Sequence, residues 1–195
     1  MLKSMRMAGL CLLLSALAGC SVIPGSSRQE QVQNVDQLLQ RTLSDVKREH
    51  PQAAEELTRA VGYVVMDNTL TKVPVFGVGS GYGVAVDSAS GARTYLRMRR
   101  FDFGAGWGVR HIRPVLIFFD AEKFHRFADG DFEVRLAAEA SAKVEQVGMA
   151  GTVGGGVQQS EKEGYVAYLM TDAGVSATWA LGFIRVKPVE LRKAD

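Results

Sequence analysis

Apolar residues recur at helical spacing near the start of the chain and at alternate positions through most of its remaining length. Val32, Val35, Leu38, Leu39, Leu43 and Val46 lie between polar residues from Gln29 to Glu49, which predicts one amphipathic helix of about five or six turns. Pro51 suits the first position of a second helix through Ala53-Ala54-Glu55-Glu56-Leu57, where acids in the first turn match the helix dipole. Arg41, Lys47 and Arg48 are balanced by Asp36, Asp45 and Glu49, so a core-facing helix fits better than one lying on a membrane.

After Gly62 the period becomes two. Gly62 to Met66, Val75 to Asp87, Arg93 to His111, Pro114 to Phe119, Asp131 to Gln146, Tyr165 to Thr171 and Val175 to Val186 read as strands. Ser88 to Gly91 and Thr171 to Gly174 read as hairpin connections. A short helix, Ala121 to Ala128, interrupts them. The pattern predicts an α+β fold with N-terminal helices packed on a strongly bent or barrel-like antiparallel β-sheet, as a single domain over residues 29–195.

The stretch FGVGSGYGVAVD places Gly77, Gly79, Gly81 and Gly83 on one face of a strand, with Phe76, Val78, Tyr82, Val84 and Val86 on the other. A dinucleotide fingerprint is excluded, because the residue three beyond Gly79-Ser80-Gly81 is Val84. Gly104, Gly106 and Gly108 repeat the device opposite Phe103, Ala105, Trp107 and Val109. Glycine weakens a strand, so two such strips call for a compensating gain. Sheet bending or helix packing would supply one, and a groove for a flat or chain-like ligand would supply another.

The leader changes the picture of where the domain works. Lys3 and Arg6 precede an apolar run, Met7 to Gly19, of signal-peptide length. Leu17-Ala18-Gly19-Cys20 resembles the lipobox of bacterial lipoproteins, which implies cleavage after residue 19 and lipid attachment at Cys20. Ser21 to Arg28 reads as a tether reaching at most roughly 28 Å. Cys11 and Cys20 are the two cysteines, so the mature chain has no thiol left for a disulfide or a cysteine metal site. Loss of Lys3 and Arg6 takes the formal charge from +2 to 0, which gives no indication of a nucleic-acid partner. Ser21 in place of an aspartate resembles lipoproteins sorted to the outer membrane, so its periplasmic face is the expected location.

Catalytic signals are weak. His50, His111 and His125 lie in separate elements without a ligand partner at metal spacing, and no G-x-S-x-G elbow occurs. We expect no enzyme, no cofactor and no metal. The concentrated charge feature is basic: Arg93, Arg97, Arg99, Arg100, Arg110 and Arg113 crowd two strand segments with Asp102 among them. Such a patch suits an anionic headgroup, although a solvated edge guarded by charge has the same appearance.

Gly79-Ser80-Gly81-Tyr82-Gly83-Val84, the second run Gly104-Ala105-Gly106-Trp107-Gly108-Val109, Val115 to Phe119 before a short helix, and Tyr168 followed by Gly174-Val175-Ser176-Ala177 resemble the SYLF-domain family in their order. The resemblance covers about residues 30 to 186. It implies phospholipid or membrane binding without catalysis. The chain departs from the family at Leu136 to Lys143 and at Gly148 to Gly156, where the family's Gly-Pro-x-Gly-Arg turn is missing; the actin link of eukaryotic members is not carried over. The expected function is binding of phospholipid or another amphiphile at the periplasmic membrane surface, with Arg97, Arg99, Arg100, Arg110, Gly79, Gly81, Gly83 and Trp107 as the lipid-binding set and Cys20 as the lipid attachment. A structural or assembly lipoprotein of the cell envelope, binding a protein partner or itself, is the alternative.

Overall fold

A computed structural model describes residues 23–131, 134–143, 157–160 and 164–193. The expected leader, Cys20 and the segment Gly148 to Gly156 lie outside the described residues. Three helices, α1 (Arg28–Glu49), α2 (Gln52–Arg59) and α3 (Ala121–Asp129), accompany seven strands. These are β1 (Gly62–Val73), β2 (Phe76–Asp87), β3 (Arg93–Phe103), β4 (Gly106–Phe118), β5 (Val134–Lys143), β6 (Val157–Ser160) and β7 (Tyr165–Pro188). The fold is α+β, as the periodicity predicts.

All pairings are antiparallel, in the order β3-β2-β1-β4-β7-β5, with β6 also on β7. The bend comes from β7, which pairs with β4 along Tyr165–Thr178 and with β3 along Leu181–Pro188. One strand therefore flanks both ends of the β3-β2-β1-β4 array, while β5 and β6 remain on its other side.

Each face of this sheet has its own core. Inward-pointing Val64, Met66, Leu96, Met98, Ile112 and Leu116 form one cluster with α3. Phe118 meets Phe124 and Phe127 of that helix at ring distances of 5.8 and 5.5 Å. Outward-pointing Val65, Val84, Val115 and Ile117 form the other, against Val35, Leu38, Leu39 and Val46 of α1. The helices thus cover the half of the sheet away from the β1–β2 turn and leave the other half uncovered by α1.

Local signals set the helix ends. Ser27 Oγ accepts from the Glu30 amide at 3.2 Å, and the Glu30 carboxylate accepts from the Ser26 amide and hydroxyl at 2.7 Å each, a side-chain cap of the kind that starts helices. Asp120 caps α3 through the Lys123 amide at 3.1 Å, and Gly130 ends it with φ +87°.

Three expectations need correction. The strand expected from Arg93 to His111 is two strands, broken at Gly104-Ala105. The turn expected at Thr171 to Gly174 is a bulge inside β7: Ile112 pairs with Thr171 and His111 with Ala173, which leaves Asp172 as the extra residue. The stretch expected to be a free tether is docked from Ile23 onward. Ile23 is 2% exposed, and its carbonyl accepts from Gln31 Nε2 at 2.9 Å, while Pro24 O accepts from Asn34 Nδ2 at 2.9 Å.

Helix α1 is tied to β4 by charge. Arg113 donates to Thr42 Oγ1 at 3.0 Å and pairs with Asp45 at 2.9 Å. Burial pushes the Asp45 carboxyl up, but hydrogen bonds from Arg113 and Arg48 outweigh it and hold the group below its ordinary range. A depressed carboxylate contributes stability that is present above the unfolded value of about 4 and is lost as pH falls through the folded value. The urea midpoint is therefore expected to fall below about pH 4, and Asp45→Asn to remove part of that fall when midpoints at pH 7 and pH 3 are compared.

Candidate functional site

The glycine strip of β2 does not border a groove. A methyl group on Gly79 would lie 2.7 Å from the buried amide of Asn68. One on Gly81 would land on the carbonyl oxygen of Asp67, and one on Gly83 on that of Val65. The strip is the close approach of β2 to β1 and to the side chains inside the bend. Beside Leu70, the inner side chains at this end of the sheet include a polar group: Asn68, Lys72, Arg100, Asp102 and Arg110 are all buried. Arg100 and Asp102 share a face of β3 and form a two-pronged ion pair, Nε to Oδ1 at 2.7 Å and Nη2 to Oδ2 at 3.2 Å.

The outer face of the same region carries the exposed features. Register places Arg97 opposite Lys187 and Arg99 opposite Arg185, and all four are exposed. Like charges facing each other across a ladder are destabilising. Two residues further along, Phe101 faces Phe183. Phe76 stands 6.5 Å from Phe101 and 5.4 Å from Phe103, and Phe103 stands 6.3 Å from Phe183. The outer face therefore changes from cationic to aromatic along β3.

It ends in an apolar tip built from two turns. Gly104 donates to Val75 O and Gly106 to Pro74 O, both at 3.1 Å, which joins the β1–β2 and β3–β4 connections. Gly106 has φ +146°, a backbone that L side chains rarely adopt. Val73, Val75, Val78, Phe103, Trp107 and Val109 are the large exposed hydrophobic side chains among the described residues. Val75 is 72% and Trp107 68% exposed, so neither contributes to a core of the isolated chain. A separate open cleft of about 500 Å³ beside Asn34, Arg41 and Tyr82 carries Arg41 as its one charge.

No protein-family model matches the chain. Its sequence is similar to that of Beta cell expansion factor A from Aeromonas veronii, at 27% identity over 132 residues, 67% of this chain and 49% of that protein. The chain spans about half the length of this curated relative. No helix among the described residues is long and apolar enough to cross a membrane.

The expected site residues fall into three places. Arg97 and Arg99 are on the outer face, and Trp107 is at the tip. Arg100 and Arg110 point inward, 1% and 4% exposed; adjacent residues of a strand face opposite ways, so Arg99 and Arg100 cannot share a surface. Gly79, Gly81 and Gly83 are filled against β1, which removes the groove expected on them. The sequence reading missed Arg185 and Lys187, whose alternation with Ile184 and Val186 marks them as outward but not as neighbours of β3. It also missed Val73, Val75 and Val78 as a surface.

Proposed function

We propose that this is a non-catalytic, SYLF-like protein held to a bacterial membrane through Cys20, at the periplasmic face of the outer membrane, whose domain binds anionic phospholipid. The observation that carries this reading is the cross-strand cationic block Arg97, Arg99, Arg185 and Lys187 beside exposed aromatic side chains. Arginine forks match phosphate oxygens. The position of the docked N-terminal stretch supports it. Gln31 bonds both Ile23 O and the Arg192 amide, and Val189 donates to Tyr95 O, two residues before Arg97. An anchor at Cys20 would then emerge on the side of the sheet that carries the cations.

The test uses the full chain with Cys20→Ser, which cannot be acylated, in co-sedimentation with vesicles of phosphatidylglycerol or phosphatidylcholine over a salt series. Binding is expected for the anionic vesicles and is expected to weaken as salt rises. At about 1 kcal/mol per cation near a charged surface, Arg97→Gln, Arg99→Gln and Lys187→Gln combined should lower it by about a hundredfold without lowering the melting temperature. Equal binding to both vesicle types, or an unaffected triple variant, would reject the reading. The exposed apolar tip also suits a protein partner of an envelope assembly, and that second reading predicts salt-resistant co-purification at fixed stoichiometry.

A further inference from the structure

We propose that the tip made by the β1–β2 and β3–β4 turns enters the acyl region of one leaflet, with the Arg99–Arg185 pair at the level of the headgroups. The proposal rests on the phospholipid reading and adds a depth and an orientation to it. Neither residues 73–79 nor residues 103–109 include a charged side chain. The next inner positions, Lys72 and Asp102, turn into the bend and are 3% and 0% exposed. Apolar outside and polar inside is the alternation of a strand that faces lipid, not of one that faces water.

Backbone groups in hydrocarbon must be satisfied within the protein. At the tip the Gly104 and Gly106 amides donate to the Val75 and Pro74 carbonyls, and Pro74 itself has no amide proton. The dimensions set the depth. Phe103 lies four residues beyond Arg99 on the same face, about 14 Å along the strand at 3.4 Å per residue and about 11 Å in depth with strands inclined about 40°. Half of a hydrocarbon core is about 15 Å. A spanning strand needs roughly 9–11 residues, so this band fits one leaflet and does not cross the membrane. Charge complementarity selects the partner: the cations sit where anionic phosphates would lie once the tip is submerged.

The same placement is compatible with the anchor. Tyr95, which packs against the same buried cluster as Ile23, is four residues from Arg99 on the other side, about 14 Å along the strand. With strands inclined about 40°, as in barrels, the rise is about 11 Å. Three residues from Ile23 back to Cys20 reach at most roughly 11 Å, so tip and acyl chains can share a leaflet.

The experiment places one cysteine at Val75→Cys or, at the opposite end of the sheet, at Ser90→Cys, in the full chain carrying Cys11→Ser and Cys20→Ser. Each is labelled with an environment-sensitive fluorophore and mixed with phosphatidylglycerol vesicles brominated on the acyl chains, and sedimentation is recorded on the same samples. The label at position 75 should shift to the blue and be quenched, and the label at 90 should do neither. Val75→Asp combined with Trp107→Asp should weaken binding at least tenfold without lowering the melting temperature, since both side chains are exposed. Sedimentation with equal, weak quenching at both positions would overturn insertion while leaving surface binding intact. Absence of sedimentation would overturn both readings. A blue shift at 75 without vesicles, with a dimer in sedimentation velocity, would assign the tip to a second copy of the chain instead.

Discussion

Gly81→Ala is expected to destabilise the protein by about 3 kcal/mol or more, and Gly81→Val to prevent folding. The added methyl would coincide with the carbonyl oxygen of Asp67, with the Asp67 carbonyl carbon and the Asn68 Cα next nearest. All three atoms are backbone of β1, so no side chain can rotate away and relief requires the ladder to part. That ladder is continuous from Gly62↔Asp87 to Val73↔Phe76, and a local opening would displace its neighbours on both sides. Overpacking of an ordinary core costs about 1–3 kcal/mol; here the strain falls on main chain, which places the effect at or above that range. Two substitutions serve as internal controls. Gly79→Ala meets the end of the Asn68 side chain, which can move, and should cost less. Gly91→Ala meets nothing within 4 Å but has φ +70°, so about 1 kcal/mol is expected. Urea unfolding followed by circular dichroism ranks the three, and a Gly81→Ala protein no weaker than Gly91→Ala would show that the strip is not what holds β2 against β1.

What was legible in the chain was periodicity, because it is local. The first helix is read from apolar spacing as Gln29 to Glu49 and found as Arg28–Glu49. The third is read as Ala121 to Ala128 and found as Ala121–Asp129. Thr171-Asp172-Ala173-Gly174 has the composition of a turn, yet β4 pairs with β7 both before and after Asp172, which keeps the strand continuous and turns the extra residue into a bulge. Glycine spacing announced that side chains were unwanted but not what took their place, since that depends on the depth of the bend between β1 and β2. For the arginines, parity was available: Arg100 and Asp102 share a face, and Arg97 and Arg99 take the other. Which face is inside is decided by α1 and α3, and the cations that complete the outer block come from a strand more than 80 residues later. Chemistry that depends on register between distant strands is not written in either strand.

Asp102→Ala is expected to cost about 3–5 kcal/mol, the range for removing one member of a buried ion pair. Asp102 and Arg100 are 0% and 1% exposed, so truncating the acid takes both oxygens from a guanidinium that water cannot reach. Arg100→Met should also be damaging, for the converse reason: it leaves a carboxylate buried without its fork. The double variant Arg100→Met with Asp102→Leu is expected to recover only part of either loss: hydrophobic replacement of a whole buried pair is often neutral, but buried Lys72 and Arg110 share the bend and keep their charges. Chemical unfolding of the four proteins as a double-mutant cycle measures the coupling, and additive losses would mean that the pair does not act as a unit. The same double variant separates inside from outside. Its outward residues Arg97, Arg99, Phe101 and Phe103 are untouched, so if the membrane surface is the outer face, vesicle binding should survive removal of both buried charges. Loss of binding in a stable double variant would instead move the headgroup site into the bend, where Arg110 and Lys72 also point.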